Sequence, residues 1–237
     1  MAQLTQIGIV GAGFMGSGIA ESAAAAGLHV TLHEPEQAPL DRSRKALETS
    51  VARAVSRGKL ATSEGEALID RVSYTTVIDE LGSVEAVIEA VTEDPRVKGK
   101  LFGRLDALLP DAAFLASNTS SIPIAELAAW TQHPHRVLGL HFFSPVPVMK
   151  LIEVVVALDT GDETLETAET FATQIGKQAI RTKDRSGFIV NMLLVPYLMA
   201  AVRMYEDGFA TREDIDQGML LGCGHPLGPL TLCDFIG

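Results

Sequence analysis

The chain has 237 residues, of which 47% are hydrophobic and 21% charged; 19 Lys plus Arg against 30 Asp plus Glu give a formal charge of −11. Such a length suits one large domain with at most a small appendage, and the composition excludes a disordered chain. The acidic balance argues against nucleic acid as a partner, because a phosphate backbone needs a broad basic surface.

Short β-branched runs alternate with amphipathic, Ala-rich stretches through most of the chain. That alternation predicts an α/β architecture with a mostly parallel sheet covered by helices on both faces. Strands are expected at 6–10, 30–34, 84–90, 113–117, 137–142, 151–157 and 177–182, and helices at 14–26, 38–57, 95–109, 124–130 and 163–175. Asp94 before Pro95 reads as a helix cap followed by an N1 proline, and Gly27 and Gly176 each follow a helix where a left-handed stop is cheap. From Ser186 strand signals vanish. The segment SGFIVNMLLVPYLMAAVRMYEDG predicts one long apolar helix bent at Pro196, with another helix near 213–221. A boundary is therefore expected near Asp184, giving domains 1–184 and 185–237, the second too small to close a core alone.

The N-terminus, MAQLTQIGIVGAG, has no basic start and runs straight into an apolar segment, and residues 188–202 are too short and too interrupted by Asn191 and Pro196 to span a bilayer. No membrane association is expected, and the cytoplasm is the expected compartment. Cys223 and Cys233 form no CxxC pair, so they are expected to be small buried hydrophobes. His133 and His135 lack thiolate or carboxylate partners in sequence and are read as solvated loop residues, with no metal site expected.

Gly11, Gly13 and Gly16 form GxGxxG between the first strand and the first helix. In that context the pattern supplies a tight turn, a bare backbone for a pyrophosphate and a helix N-terminus that favours anions. Glu34, at the end of the second strand, stands where a carboxylate meets adenosine ribose hydroxyls. NAD is the expected cofactor, with NADP kept open by His33, Arg42 and Arg44. The absence of GK[ST] and GxSxG excludes a P-loop and a hydrolase elbow.

Ligands of open α/β sheets sit beyond the carboxyl ends of the strands, which directs attention to Thr92 and Glu93, to Ser117–Ser121 (SNTSS) and to His141. If the strands around FFSPVPV form a hairpin centred on Pro147, Glu153 lies opposite His141. A carboxylate there would fix the tautomer of the imidazole and steady its protonated form. Asn191 is an amide in an otherwise apolar helix and is expected to face a polar cavity, because burying it unpaired would cost about 1 to 3 kcal/mol.

The blocks GAGFMGSGIA, VIEAVTED, ASNTSSIPI, LGLHFFSPVPVMKLIEV, DRSGFIVNMLLVPYLMAA and HPLGPLTLCDFIG, in this order, resemble the 3-hydroxyacyl-CoA dehydrogenase family, most closely its stand-alone bacterial 3-hydroxybutyryl-CoA dehydrogenases. The resemblance implies a Rossmann-type NAD-binding domain followed by a small helical domain for substrate and dimerisation, here ending before the family's last helical segments. It implies oxidation of (S)-3-hydroxybutyryl-CoA to acetoacetyl-CoA and the reverse. His141 matches the catalytic base, Glu153 the acid that orients it, and Ser120 and Asn191 the groups that contact substrate. The implied NAD contacts are Gly11, Gly13, Phe14, Met15, Gly16, Glu34, Glu93, Lys98, Asn118, Ser120 and Ser144. Ser50, Arg53, Arg57 and Lys59 match the CoA-facing helix. Two positions depart from the family's usual residues: Ser144 replaces an Asn beside the nicotinamide, and Glu34 a commoner Asp. Two other readings stay open, a dinucleotide-binding protein without full catalysis and a dehydrogenase for a free hydroxy acid or sugar acid.

Overall fold

A computed structural model describes residues 3–236 and divides the chain into two compact units, Met1–Ser186 and Gly187–Gly237. In the first unit, β1 (Gln6–Val10), β2 (His29–His33), β3 (Val72–Thr75), β4 (Ala86–Glu89), β5 (Phe114–Ser117), β6 (Val137–Phe142), β7 (Leu151–Val156) and β8 (Gln178–Lys183) form one sheet in the order β3-β2-β1-β4-β5-β6-β7-β8. Every neighbouring pair is parallel except β6 with β7. The central strands are buried on both faces, as a doubly wound sheet requires, and Ile7, Ile9, Ile88, Leu115 and Leu138 have no exposed surface.

The covering helices are α1 (Phe14–Ala25), α2 (Gln37–Ser56), α3 (Thr62–Asp70), α4 (Pro95–Leu108), α5 (Ile124–Ala128) and α6 (Asp162–Gln174). Their ends follow local chemistry. Asp94 Oδ1 accepts from the N–H groups of Arg96 at 2.8 Å and Val97 at 3.0 Å, with Pro95 in the first turn. Gly27 and Gly176 take φ of +94° and +71° behind α1 and α6.

Two elements of this unit have no counterpart in the sequence expectation. Strand β3 is only four residues long and sits at the sheet edge, paired to β2 alone. Helix α3 carries Gly65 in its middle, which weakens the helical pattern in sequence. A Cβ there would lie 2.8 Å from Val51 Cγ1, so close packing of α3 on α2 calls for the glycine.

The second unit holds α7 (Val190–Glu206), α8 (Arg212–Cys223) and α9 (Pro229–Ile236) around a small cluster of Ala201, Ile215 and Leu230. Helix α7 is continuous through Pro196. The expectation had no α9; Asp216 organises its start, accepting from the N–H groups of Leu230 at 2.8 Å and Thr231 at 3.0 Å. Cys223 is exposed and Cys233 half-buried, contrary to the expectation of buried hydrophobes, because a core this thin leaves most of each helix uncovered. No helix among the described residues is long and apolar enough to cross a membrane.

Candidate active site

Strands β1 and β4 are neighbours, and the crossovers diverge from them to opposite sides of the sheet, so a crevice opens beyond their carboxyl ends. Three glycines shape its floor, each for a different reason. Gly11 has φ +108°, and a Cβ on it would lie 2.5 Å from Ala90 O; one on Gly16 would lie 1.9 Å from Gly11 O. Both are demanded by the protein's own backbone. Gly13 is exposed, has ordinary extended backbone, and a Cβ on it would meet nothing within 4 Å, so its bareness serves whatever approaches from outside.

Phe14 is exposed on the lip of this turn, whereas Met15 is half-buried against the core. Glu34 Oε2 accepts from Ala12 N–H at 3.1 Å, which holds the carboxylate at the edge of the glycine turn. A cleft of about 820 Å³ runs from Gly13 and Glu34 past Arg42, Ser50 and Arg53 to Pro145–Val148. Ser50 Oγ donates to Glu21 at 2.6 Å, and Arg53 is exposed. Arg57 and Lys59 lie beyond the lining, exposed where α2 ends. Ser144, exposed, precedes the turn that forms the cleft's far wall.

The second group of polar residues gathers beyond β4, β5 and β6. The β6–β7 hairpin pairs His141 with Glu153 in register. His141 Nδ1 lies 2.7 Å from Glu153 Oε2, and Glu153 has no exposed surface. In the neutral ring, donation from Nδ1 to the carboxylate leaves Nε2 as the accepting nitrogen. Ser120 Oγ lies 3.2 Å from that Nε2, and the Phe143 ring packs 4.6 Å from the imidazole, centroid to centroid. Asn118 Oδ1 accepts from Phe142 N–H at 2.9 Å, tying the end of β5 to β6.

The SNTSS loop is held by Glu93, which accepts from Ser120 N–H at 3.0 Å, from the Ser121 hydroxyl at 3.2 Å and from the Thr119 hydroxyl. Burial pushes the Glu93 carboxyl up, but the Thr119 hydroxyl, the Lys98 ammonium and the Ser120 N–H outweigh it and hold the group below the ordinary carboxylate value. Lys98 is buried with its ammonium between Glu89 and Glu93, at 2.6 and 3.2 Å. Glu89 is absent from the sequence-derived candidates: within VIEAV it looks like one charge in an apolar strand, and only the fold places it beside Lys98.

Asn191 belongs to the second unit, half-buried in the first turn of α7. His133, read as solvated, is partly exposed and also lies 3.2 Å from Asp106, which binds the buried Arg136. Among the described residues no cluster of three or more His, Cys, Asp or Glu has an arrangement suited to a metal ion.

Residues 6–185 match the family model for the 3-hydroxyacyl-CoA dehydrogenase NAD binding domain, and residues 187–237 that for the C-terminal domain of the same family. The chain belongs to the 3-hydroxyacyl-CoA dehydrogenase family. It is 50% identical over 236 residues to a 3-hydroxybutyryl-CoA dehydrogenase of Mycobacterium tuberculosis, an alignment covering 99% of this chain and 82% of that protein. A probable 3-hydroxybutyryl-CoA dehydrogenase of Bacillus subtilis is 42% identical, with the same coverage of 99% and 82%. The crystal structure of (S)-3-hydroxybutyryl-CoA dehydrogenase PaaH1 from Ralstonia eutropha superposes with a TM-score of 0.97 at 40% identity, covering 99% of this chain and 83% of that one. Membership makes this 3-hydroxyacyl-CoA dehydrogenase homologue an NAD-binding oxidoreductase of CH–OH groups. The open backbone at Gly13, the helix N-terminus behind it and the carboxylate of Glu34 fit a dinucleotide laid across the β1–β4 crevice.

Proposed function

We propose that this chain interconverts (S)-3-hydroxybutyryl-CoA and acetoacetyl-CoA, with His141 as the proton-transfer group. The observation that carries the reading is the chain of contacts from Ser120 Oγ through His141 to buried Glu153, at the strand ends on the same rim as the glycine turn. The glycine turn at Gly13 and the carboxylate of Glu34 would hold NAD, which would supply the hydride acceptor for C3 of the substrate. His141 Nε2 takes the proton of the C3 hydroxyl as the carbonyl forms, and in reduction it returns that proton to the oxygen. Glu153, accepting from Nδ1–H, holds the ring and offsets the charge of the imidazolium. Ser120, whose hydroxyl rests against the same Nε2, turns to donate to the C3 oxygen, where negative charge grows. Asn191 is proposed as an amide contact to the substrate, and Glu93 and Lys98 as groups that shape the nicotinamide end.

Arg53 and Ser50, on the cleft wall, are proposed to receive the phosphates of CoA; Arg57 and Lys59, outside that wall, are proposed to supply longer-range attraction. A homodimer through the second unit is supported by its uncovered apolar side chains, including Leu193, Val195, Phe209 and Phe235.

The test is NADH consumption with acetoacetyl-CoA, run beside NADPH and beside free acetoacetate. Turnover with NADH and the CoA ester is expected. Cofactor affinity with a flat trace would leave a binding protein, and equal turnover of free acetoacetate would move the substrate class to free hydroxy acids.

A further inference from the structure

Glu89 ends β4 with no exposed surface. Its Oε1 accepts from Lys98 Nζ at 2.6 Å and from Val91 N–H at 2.7 Å, and its Oε2 accepts from the Ser117 hydroxyl at 2.7 Å. Lys98, just as buried, reaches on to Glu93 at 3.2 Å. Glu93 grips the Ser120 N–H at 3.0 Å, and Ser120 carries the hydroxyl 3.2 Å from His141 Nε2. Two carboxylates thus share one ammonium, and the outer one fixes the loop that bears a reacting hydroxyl.

Buried ion pairs seldom add net stability over a well-packed apolar pair, because desolvation consumes most of the attraction. Stability alone therefore does not call for Glu89 and Lys98. Their geometry does have a use: with Glu89 in place, Lys98 is pulled back into the sheet and meets Glu93 at a fixed height. Without Glu89, the ammonium keeps only the long contact to Val91 O at 3.4 Å on that side, and it can close on Glu93 and draw the loop after it.

We infer that Glu89 is a positioning residue for the dehydrogenase reaction, setting through Lys98 and Glu93 where Ser120 stands against His141. The inference rests on the proposed roles of Ser120 and His141.

The experiment is a double-mutant cycle on kcat for acetoacetyl-CoA reduction, comparing the parent, Glu89→Gln, Ser120→Ala and the two combined, with KM for both substrates and thermal unfolding recorded. Glu89→Gln is expected to lower kcat about 10-fold while each KM moves by less than about threefold, and the combined variant is expected to be no slower than Ser120→Ala alone. A merely structural role would give losses that multiply. Because Glu89→Gln strands a buried ammonium, a charge-free pair, Glu89→Gln with Lys98→Met, is carried through the same cycle. It is expected to fold, to be at least 10-fold slower than the parent, and to add nothing to Ser120→Ala. Parent kcat in either variant, or losses that multiply with Ser120→Ala while the parent turns over, would overturn this inference alone. A parent without turnover would overturn the functional reading and this inference with it.

Discussion

The glycine turn between β1 and α1 and the hairpin of β6 and β7 stand along the same sheet, but they are built by opposite means. The turn works through bare backbone, exposed to solvent at Gly13, and the carboxylate at its edge, Glu34, is half-buried. The hairpin works through buried side chains, His141 and Glu153, whose meeting depends on strand register across twelve residues. Recognition by backbone needs only a local spacing of glycines, whereas proton transfer needs an oriented, partly desolvated imidazole, which only tertiary structure supplies.

The sharpest way to separate the two regions is His141→Ala. Turnover is expected to fall by on the order of 10² to 10⁴, with NADH affinity by fluorescence titration kept within about twofold. Loss of affinity as well would merge the regions into one. Gly13→Val is the converse. A Cβ there would meet nothing within 4 Å, so thermal unfolding is expected to change little while NADH affinity drops by about 10-fold or more. An unfolded variant would show that Gly13 serves the fold after all.

A smaller effect is expected along the cleft wall. Arg53→Glu is expected to raise KM for acetoacetyl-CoA by roughly 5- to 10-fold, and Arg57→Glu less, since Arg57 stands outside the lining; salt titration of both KM values measures the difference. The smallest concerns stability. Burial holds the His33 imidazole below its ordinary value, only partly offset by Glu34, so the folded state favours the neutral ring. Stability from this group is present above about pH 6.5 and is lost as pH falls through the lower folded value. Urea unfolding of His33→Val between pH 7 and pH 5 is expected to show a flatter decline than the parent.

The same contrast explains what the sequence disclosed. The parallel sheet, the glycine turn and the helix caps at Asp94 and Gly27 follow from patterns within about twenty residues, and the structure contains each of them. The pairing of His141 with Glu153 was legible because the hairpin is short and its centre can be located on Pro147. Glu89 was not, because its partners Lys98 and Ser117 come from the next helix and the next strand. Strand β3 and helix α3 were hidden by brevity and by Gly65, whose reason is a contact with α2 that no local pattern records.

The hairpin's role is tested most directly by the kcat of Glu153→Gln for acetoacetyl-CoA reduction under saturating NADH. The amide keeps the shape of the carboxylate and removes its charge, so kcat is expected to fall by on the order of 10² with NADH affinity unchanged. A variant that turns over at the parent rate would contradict the claim that Glu153 makes His141 the proton-transfer group.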